Sequence, residues 1–130
     1  MRLVTVLICD LPVDSEREKR LKSFLMNNVM TPWVASVLYR EASTIQDRFH
    51  PKLALLDLDP SPEDGLAVIP LIKGLVPYIF VTGSHVSEHF VLQALNFGAT
   101  EFLPGENIQA ALAQAAGEIQ TSRSKANNPG

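Results

Sequence analysis

The sequence predicts an α/β domain whose parallel β-sheet is covered by helices on both faces, and three observations support this prediction. Short apolar runs without polar alternation, typical of strands buried on both faces, lie at residues 3–9, 33–39, 53–58, 78–81 and 102–103. Most segments between them reach the length of about a dozen residues that a parallel crossover needs. These segments carry apolar residues at helical spacing, so a β-α unit repeats five times.

The first predicted helix follows the run at residues 3–9. Ser15 and Glu18 have the spacing of a capping box, in which each residue satisfies a free amide at the start of a helix. Leu21, Phe24 and Leu25 then form one apolar stripe at positions i, i+3 and i+4. Beside this stripe lie four basic residues: Arg17, Lys19, Arg20 and Lys22.

The second and third helices are predicted to be less regular. Ser43 or Thr44 is expected to cap a two-turn helix that buries Ile45 and Phe49. The third helix contains Pro70, which lacks an amide hydrogen and clashes with the preceding turn, so we expect a short, kinked or restarted helix there. Its apolar positions are Leu66, Ile69, Ile72 and Leu75.

The last two helices complete the five β-α units. Residues 83–98 carry Phe90, Ala94, Leu95 and Phe97, and Gly98 is expected to be a left-handed C-cap. Asn107 is expected to cap a final helix that buries Ile108, Ala111, Leu112, Ala115 and Ile119. Because crossovers are right-handed and helices cover both faces, the prediction is a flavodoxin-like, doubly wound, five-stranded sheet.

The predicted domain covers residues 1–120 of a chain of 130, a common length for one domain. Residues 121–130 are polar and end in Asn, Pro and Gly, which is typical of a frayed tail, a linker or an expression remnant. No apolar run reaches the roughly 18 residues needed to cross a membrane, and we expect no signal peptide. The formal charge of −3 argues against nucleic-acid binding, and the single cysteine fits the reducing cytoplasm.

Polar residues follow several predicted strands where each strand ends. Asp10 follows the first strand, Asp57 and Asp59 lie at the end of the third, and Thr82 follows the fourth. In a doubly wound sheet this edge gathers ligands. Hard carboxylate oxygens there suit Mg²⁺, and a carboxylate can also act as a nucleophile towards a phosphoryl group.

The chain resembles the receiver domain of bacterial two-component response regulators. The resemblance spans residues 6–119, and it depends on the order and spacing of five segments rather than on any one of them. These segments are Val6 to Asp10, Leu55 to Pro60, Glu63 to Leu66, Ile79 to Gly83 and Ala94 to Leu103.

This resemblance implies a role for each residue at the sheet edge. Asp57 would accept a phosphoryl group and would hold Mg²⁺ together with Asp10, and Asp59 would either assist the metal or repel the phosphoryl group. Thr82 would be the switch hydroxyl that turns towards the phosphoryl oxygens, and Phe102 the aromatic residue that follows it. The implied partners are a histidine kinase or phosphotransfer protein, and an output domain or a second copy. No enzymatic turnover is expected beyond self-phosphorylation.

Two departures from the receiver pattern define the main alternative. The second acid that normally follows the first strand is replaced by Leu11, although Asp14 could substitute for it. The usual lysine falls at Gly105, and a charge-assisted bond of roughly 1.5–3 kcal/mol is lost with it. The alternative is therefore a degenerate receiver that acts as an interaction or dimerisation module without phosphorylation.

Other functions are weaker hypotheses. The segment from His85 to His89 matches the H-x-x-E-H pattern of some zinc peptidases, but a solvated helix start explains it equally well. Neither a dinucleotide-binding nor a P-loop glycine pattern occurs. A small-ligand binder on a flavodoxin-like fold remains the third possibility.

Overall fold

The computed structural model describes residues 4–10, 15–28 and 34–126, with side chains described as far as residue 119. Its strands are β1 (Thr5–Ile8), β2 (Ala35–Val37), β3 (Leu53–Asp57), β4 (Tyr78–Gly83) and β5 (Glu101–Pro104). Its α-helices are α1 (Glu16–Asn28), α2 (Ile45–Phe49), α3 (Pro62–Ile72), α4 (Glu88–Phe97) and α5 (Ile108–Ala126). Short 3₁₀ helices precede α2 (Tyr39–Thr44) and α5 (Gly105–Asn107).

The five strands form one parallel sheet in the order β2-β1-β3-β4-β5. This order is that of the flavodoxin-like doubly wound sheet, so the predicted fold class is confirmed. Among the described residues, every helix packs on one of the two faces of the sheet, and this arrangement buries the strands on both sides.

Alternate residues of each strand point into two separate cores. On one face, Val6, Ile8 and Leu56 pack with residues of α2, α3 and α4. On the other face, Leu7 and Phe80 pack with residues of α1 and α5. Helix α1 is therefore fixed directly over the sheet, and its first turn lies near the carboxyl ends of the strands.

Three expectations about the helices have definite outcomes. Helix α3 continues through Pro70 and ends two residues later, at Ile72, so the restart, which was one of the three expected forms, is not observed. Pro70 lies in the last turn of the helix, and the amide hydrogen bond that it cannot make is one of the last in the helix. Gly98 ends α4 with a φ of 120°, which a C-cap glycine tolerates. The backbone of α5 stays helical to Ala126, six residues past the predicted boundary at 120, because no Pro or Gly interrupts residues 121–126.

Some expectations fall outside the described residues. They include Leu11, Asp14, the predicted strand start at Trp33, and residues 127–130. The division into a domain at 1–120 and a tail at 121–130 stays a prediction.

Candidate functional site

The candidate site lies where β3 and β4 end. Asp57 is the last residue of β3, and in the parallel register it pairs with Thr82 of β4, which in turn pairs with Leu103 of β5. The side chains of Asp57 and Thr82 are fully buried. A buried carboxylate needs compensating donors, because an unpaired charge in the interior is costly.

Arg17 of α1 supplies that compensation. Its Nε donates to Asp57 Oδ2 at 2.6 Å, and its Nη2 donates to Asp57 Oδ1 at 2.9 Å. This two-point pairing matches the planar fork of a guanidinium to the two oxygens of a carboxylate. Hydrogen bonding to Asp57 raises the pKa of Arg17 above its ordinary value, although partial burial opposes the shift.

The same guanidinium also reaches Asp59. Arg17 Nη2 lies 2.7 Å from Asp59 Oδ2, so a single arginine bridges both carboxylates after β3. Asp59 in turn accepts the backbone amides of Ser84, at 2.8 and 2.9 Å, and of His85, at 3.0 Å. A continuous polar network therefore links α1, the end of β3 and the loop between β4 and α4.

The position of Arg17 follows from the periodicity of α1. Leu21 and Leu25 are buried, and Arg17 lies one turn before Leu21 on the same side of the helix. The Arg17 side chain is only a quarter exposed on this side of the helix, so a carboxylate partner stabilises its charge. Sequence reasoning placed Arg17 beside the apolar stripe together with Lys19, Arg20 and Lys22, although its spacing from Leu21 is the signal that separates it from them.

Tyr39 contacts Asp57 from the other face of the sheet. Its hydroxyl donates to the backbone carbonyl of Asp57, and its side chain is buried at the start of the 3₁₀ helix that follows β2. Burial, and then the negative charge of Asp57, raise the pKa of Tyr39 well above its usual range. Tyr39 ends an apolar run in the sequence, and sequence-based prediction did not identify its hydroxyl as a group of the site.

The two predicted switch residues occupy defined positions. The Thr82 hydroxyl donates to the carbonyl of Leu103 at 2.7 Å, so it is engaged with β5. Phe102 is half-buried and packs against the core that lies under α2, α3 and α4. Their switching roles stay predictions.

The described residues do not fit the Mg²⁺ site that the resemblance implies. Asp10 is exposed and lines a separate cavity of about 360 Å³ with Tyr39, Arg40 and Asp64. Both oxygens of Asp57 accept from Arg17, and Asp59 is occupied by Arg17 and two backbone amides. Within residues 4–10, 15–28 and 34–126, no group of three His, Cys, Asp or Glu side chains could hold a metal ion.

Gly105 stands where the receiver pattern has a lysine, and its surroundings explain the absence of a side chain. A Cβ at Gly105 would collide with the Ser84 hydroxyl oxygen and would lie 3.1 Å from the carbonyl carbon of Gly83. The loop after β5 is therefore packed closely against the loop after β4, and a side chain at position 105 requires the Ser84 side chain to turn away and the backbone to shift slightly.

The histidine pattern at residues 85–89 is split by the start of α4. His85 lies in the loop, where its amide donates to Asp59, whereas His89 is in the first turn of the helix. Both side chains are exposed. Because the two histidines do not share a helix, the i, i+4 geometry that a zinc pair needs is not formed there.

Comparisons with known proteins identify the fold. No protein-family model matches the chain, and no curated protein sequence matches it significantly. Solved structures do match. The N-terminal domain of an uncharacterized protein from Wolinella succinogenes has a TM-score of 0.73 and 20% identity, and the match covers 96% of this chain and 98% of that one.

Two further structures are described as response regulators or their receiver domains. The signal receiver domain of a DNA-binding response regulator protein from Colwellia psychrerythraea has a TM-score of 0.68 and 18% identity, covering 89% of this chain and 97% of its own. A two-component response regulator of the LuxR family from Aurantimonas has a TM-score of 0.68 and 24% identity, covering 94% and 87%. The predicted resemblance to receiver domains is confirmed as a shared fold. Among the described helices, none is long and apolar enough to span a membrane.

Proposed function

We propose that this chain is a receiver-like signalling module that transmits information through protein contacts and without phosphorylation of Asp57. The observation that carries the proposal is the two-point pairing of Arg17 with Asp57, at 2.6 and 2.9 Å. A phosphoacceptor needs a free carboxylate oxygen to attack phosphorus. Here both oxygens of Asp57 are bound by a positive charge from the same chain.

The charge of the site also supports the proposal. Arg17 neutralises one of the two negative charges of Asp57 and Asp59, so the group carries a net charge of about −1. A phosphoryl group on Asp57 would add further negative charge. Neither a lysine at position 105 nor a gathered set of metal ligands among the described residues is present to balance it.

The network of ion pairs and hydrogen bonds holds the loop before α4 in place, and it needs no phosphorylation to do so. Arg17, Asp57 and Asp59 tie α1 to the amides of Ser84 and His85, ahead of α4. In a receiver that signals by phosphorylation, a new charge biases a bistable element of this kind. We infer that in this chain the ion pair holds the loop in one state permanently.

The competing function is the phosphorelay. In that function Asp57 would receive a phosphoryl group from a histidine kinase or a phosphotransfer protein, with Mg²⁺, and the change would pass to an output domain. Its support is the location of Asp57 at the carboxyl end of β3, next to Thr82. The carboxylate would first have to release Arg17.

A titration with beryllofluoride and Mg²⁺, followed by NMR of backbone amides, separates the two functions. We expect no shifts at Thr82 or Phe102 in the wild-type protein, and the same result for Asp57→Asn. Intact mass after incubation with acetyl phosphate and Mg²⁺ is expected to show no phosphoryl adduct. Arg17→Gln is the matched variant, because it keeps a polar side chain but removes the positive charge.

The outcomes are distinct. Shifts or an adduct in the wild-type protein that Asp57→Asn abolishes would establish the phosphorelay function and reject the proposal. A response that appears only in Arg17→Gln would support the proposal, because it would identify the arginine as the group that blocks the site.

A further inference from the structure

A cleft between α1 and the start of α5 lies beside the candidate site. Its volume is about 770 Å³, and pockets for small ligands typically have volumes of roughly 300–1,000 Å³. The wall formed by α1 consists of residues at helical positions i, i+3, i+4, i+7 and i+11, which share one side of the helix. They are Arg17, Arg20, Leu21, Phe24 and Asn28. Residues 105–110 and Ala113 form the opposite wall, so the cleft is a concave space between two helices that is large enough for a small molecule.

The floor of this cleft is apolar. Leu21 and Ile108 are buried in the core that lies under α1 and α5, and Phe24 is half-buried and packs against the same core. On the α5 side, the exposed residues Ala110 and Ala113 also line the cleft. Their small side chains leave room above the floor. A surface of this kind favours the apolar part of a ligand, because binding removes apolar area from water.

The rim of the cleft carries positive charge from α1. Arg20 is exposed, and among the described side chains it forms no ion pair. Glu106, the one acid among the residues that line the cleft, does not pair with it. Arg17 binds Asp57 and Asp59 through its Nε and Nη2 atoms, so its Nη1 takes no part in these bonds. Arg20 therefore presents a guanidinium whose charge no carboxylate of the described residues balances.

We propose that the α1–α5 cleft, defined as Arg20, Leu21, Phe24, Ile108 and Ala113, is a binding site for a small organic acid that has an apolar ring and one carboxylate. The planar fork of a guanidinium matches the two oxygens of a carboxylate, and Arg20 supplies that fork. The apolar floor accepts the ring. This inference goes beyond the proposed function, and it does not depend on whether the candidate site is phosphorylated.

The cavity beside Tyr39 provides a comparison within the same molecule. Its volume is about 360 Å³, and its charged lining residues are Asp10, Asp64 and Arg40. Two carboxylates and one guanidinium give this cavity a negative balance, and like charges brought together oppose binding. A carboxylate ligand is therefore expected in the α1–α5 cleft and not in the second cavity.

The test uses naphthoate as the probe, because it joins an apolar double ring to one carboxylate. NMR amide shifts of the whole chain give both the affinity and the location, and we expect saturable shifts along α1 and in the first turns of α5. Naphthamide has the same ring without the charge, and it is expected to bind at least about tenfold more weakly. Acetate, which lacks the ring, is expected to lose at least about as much. Naphthoate binding should weaken as salt increases.

Two pairs of variants test the residues that define the cleft. Arg20→Gln is expected to weaken naphthoate binding at least about tenfold and to leave naphthamide binding unchanged. Lys19→Gln is its control, because it removes the same charge from an exposed position of α1 outside the cleft. Ala113→Trp places a ring in the cleft and should weaken the binding of naphthoate and naphthamide alike. Gln114→Trp is the control for this change, since Gln114 is exposed and does not line the cleft.

Several results would overturn the proposal. They are the absence of saturable shifts with naphthoate, equal binding of naphthoate and naphthamide, wild-type affinity in Arg20→Gln, and shifts that centre on the cavity beside Tyr39. A wild-type dimer in sedimentation velocity that Ala113→Trp dissociates would assign the cleft to a second copy of the chain and would also reject the small ligand.

Discussion

Arg17 and Asp57 lie 40 residues apart in sequence and form a two-point ion pair, with nitrogen-oxygen distances of 2.6 and 2.9 Å. Asp57 is fully buried, whereas a quarter of the Arg17 side chain remains exposed. The pair therefore joins α1 to the end of β3 and neutralises a carboxylate that water does not reach. The stability of this edge of the sheet and the reactivity of the Asp57 carboxylate both depend on this ion pair.

Removal of Arg17 is expected to destabilise the fold. In Arg17→Met the carboxylate of Asp57 stays buried without its partner, and breaking a buried pair in this way costs about 3–5 kcal/mol of unfolding free energy. Urea unfolding followed by circular dichroism measures the change. Arg20→Met is the matched control, because Arg20 is exposed on the same helix, and a change within about 0.5 kcal/mol is expected there. A loss below about 1 kcal/mol in Arg17→Met would mean that the pair is solvated like a surface pair.

The sequence predicted the sheet and its polar edge but not the partner of Asp57. Continuous apolar runs identified the five strands, because burial on both faces requires them. Periodicity shows which side of a helix is buried, but it does not show what a residue on that side contacts. Arg17 reaches Asp57 because β1 lies beside β3 in the sheet, and α1 packs on the face that these two strands share. Strand order is a tertiary property, so no local pattern revealed the pair.

Asp59 is expected to fix the loop that precedes α4. Its carboxylate accepts the amides of Ser84 and His85. In Asp59→Asn the amide side chain has one carbonyl oxygen and no charge, so these hydrogen bonds weaken. Hydrogen exchange at Ser84 and His85 should therefore accelerate, while exchange in β3 stays slow. Asp64→Asn is the control, since Asp64 contacts Ser61 on a different loop. Equal exchange in wild type and Asp59→Asn would show that the carboxylate does not hold the loop.

A side chain at Gly105 is expected to destabilise the fold, because the loop after β4 lies against this position. Gly105→Ala introduces the collision with Ser84, and such overpacking typically costs about 1–3 kcal/mol. Ser84→Gly/Gly105→Ala should recover much of the loss, because it removes the Ser84 hydroxyl. Gly117→Ala is the comparison: nothing lies within 4 Å of the added Cβ in α5, and a gain of about 0.5–1 kcal/mol is expected. Thermal unfolding measures all three variants, and an unchanged midpoint for Gly105→Ala would contradict the close packing.

Tyr39 makes the fold sensitive to alkaline pH. Because its pKa is raised in the folded protein, the hydroxyl stays protonated while the unfolded chain loses its proton near pH 10. The unfolded state then binds fewer protons than the folded state, so the unfolding free energy falls as pH rises above about 10 and is unaffected by this group below that value. Tyr39→Phe removes this contribution, and the unfolding free energy of this variant should decline less steeply over the same range.

Urea unfolding between pH 8 and 11 measures how steeply the unfolding free energy of each protein falls with pH. Ultraviolet titration in a Tyr78→Phe background, where Tyr39 is the only tyrosine, reports its ionisation directly. Ionisation of Tyr39 near pH 10 without unfolding would show that neither burial nor the charge of Asp57 holds its proton.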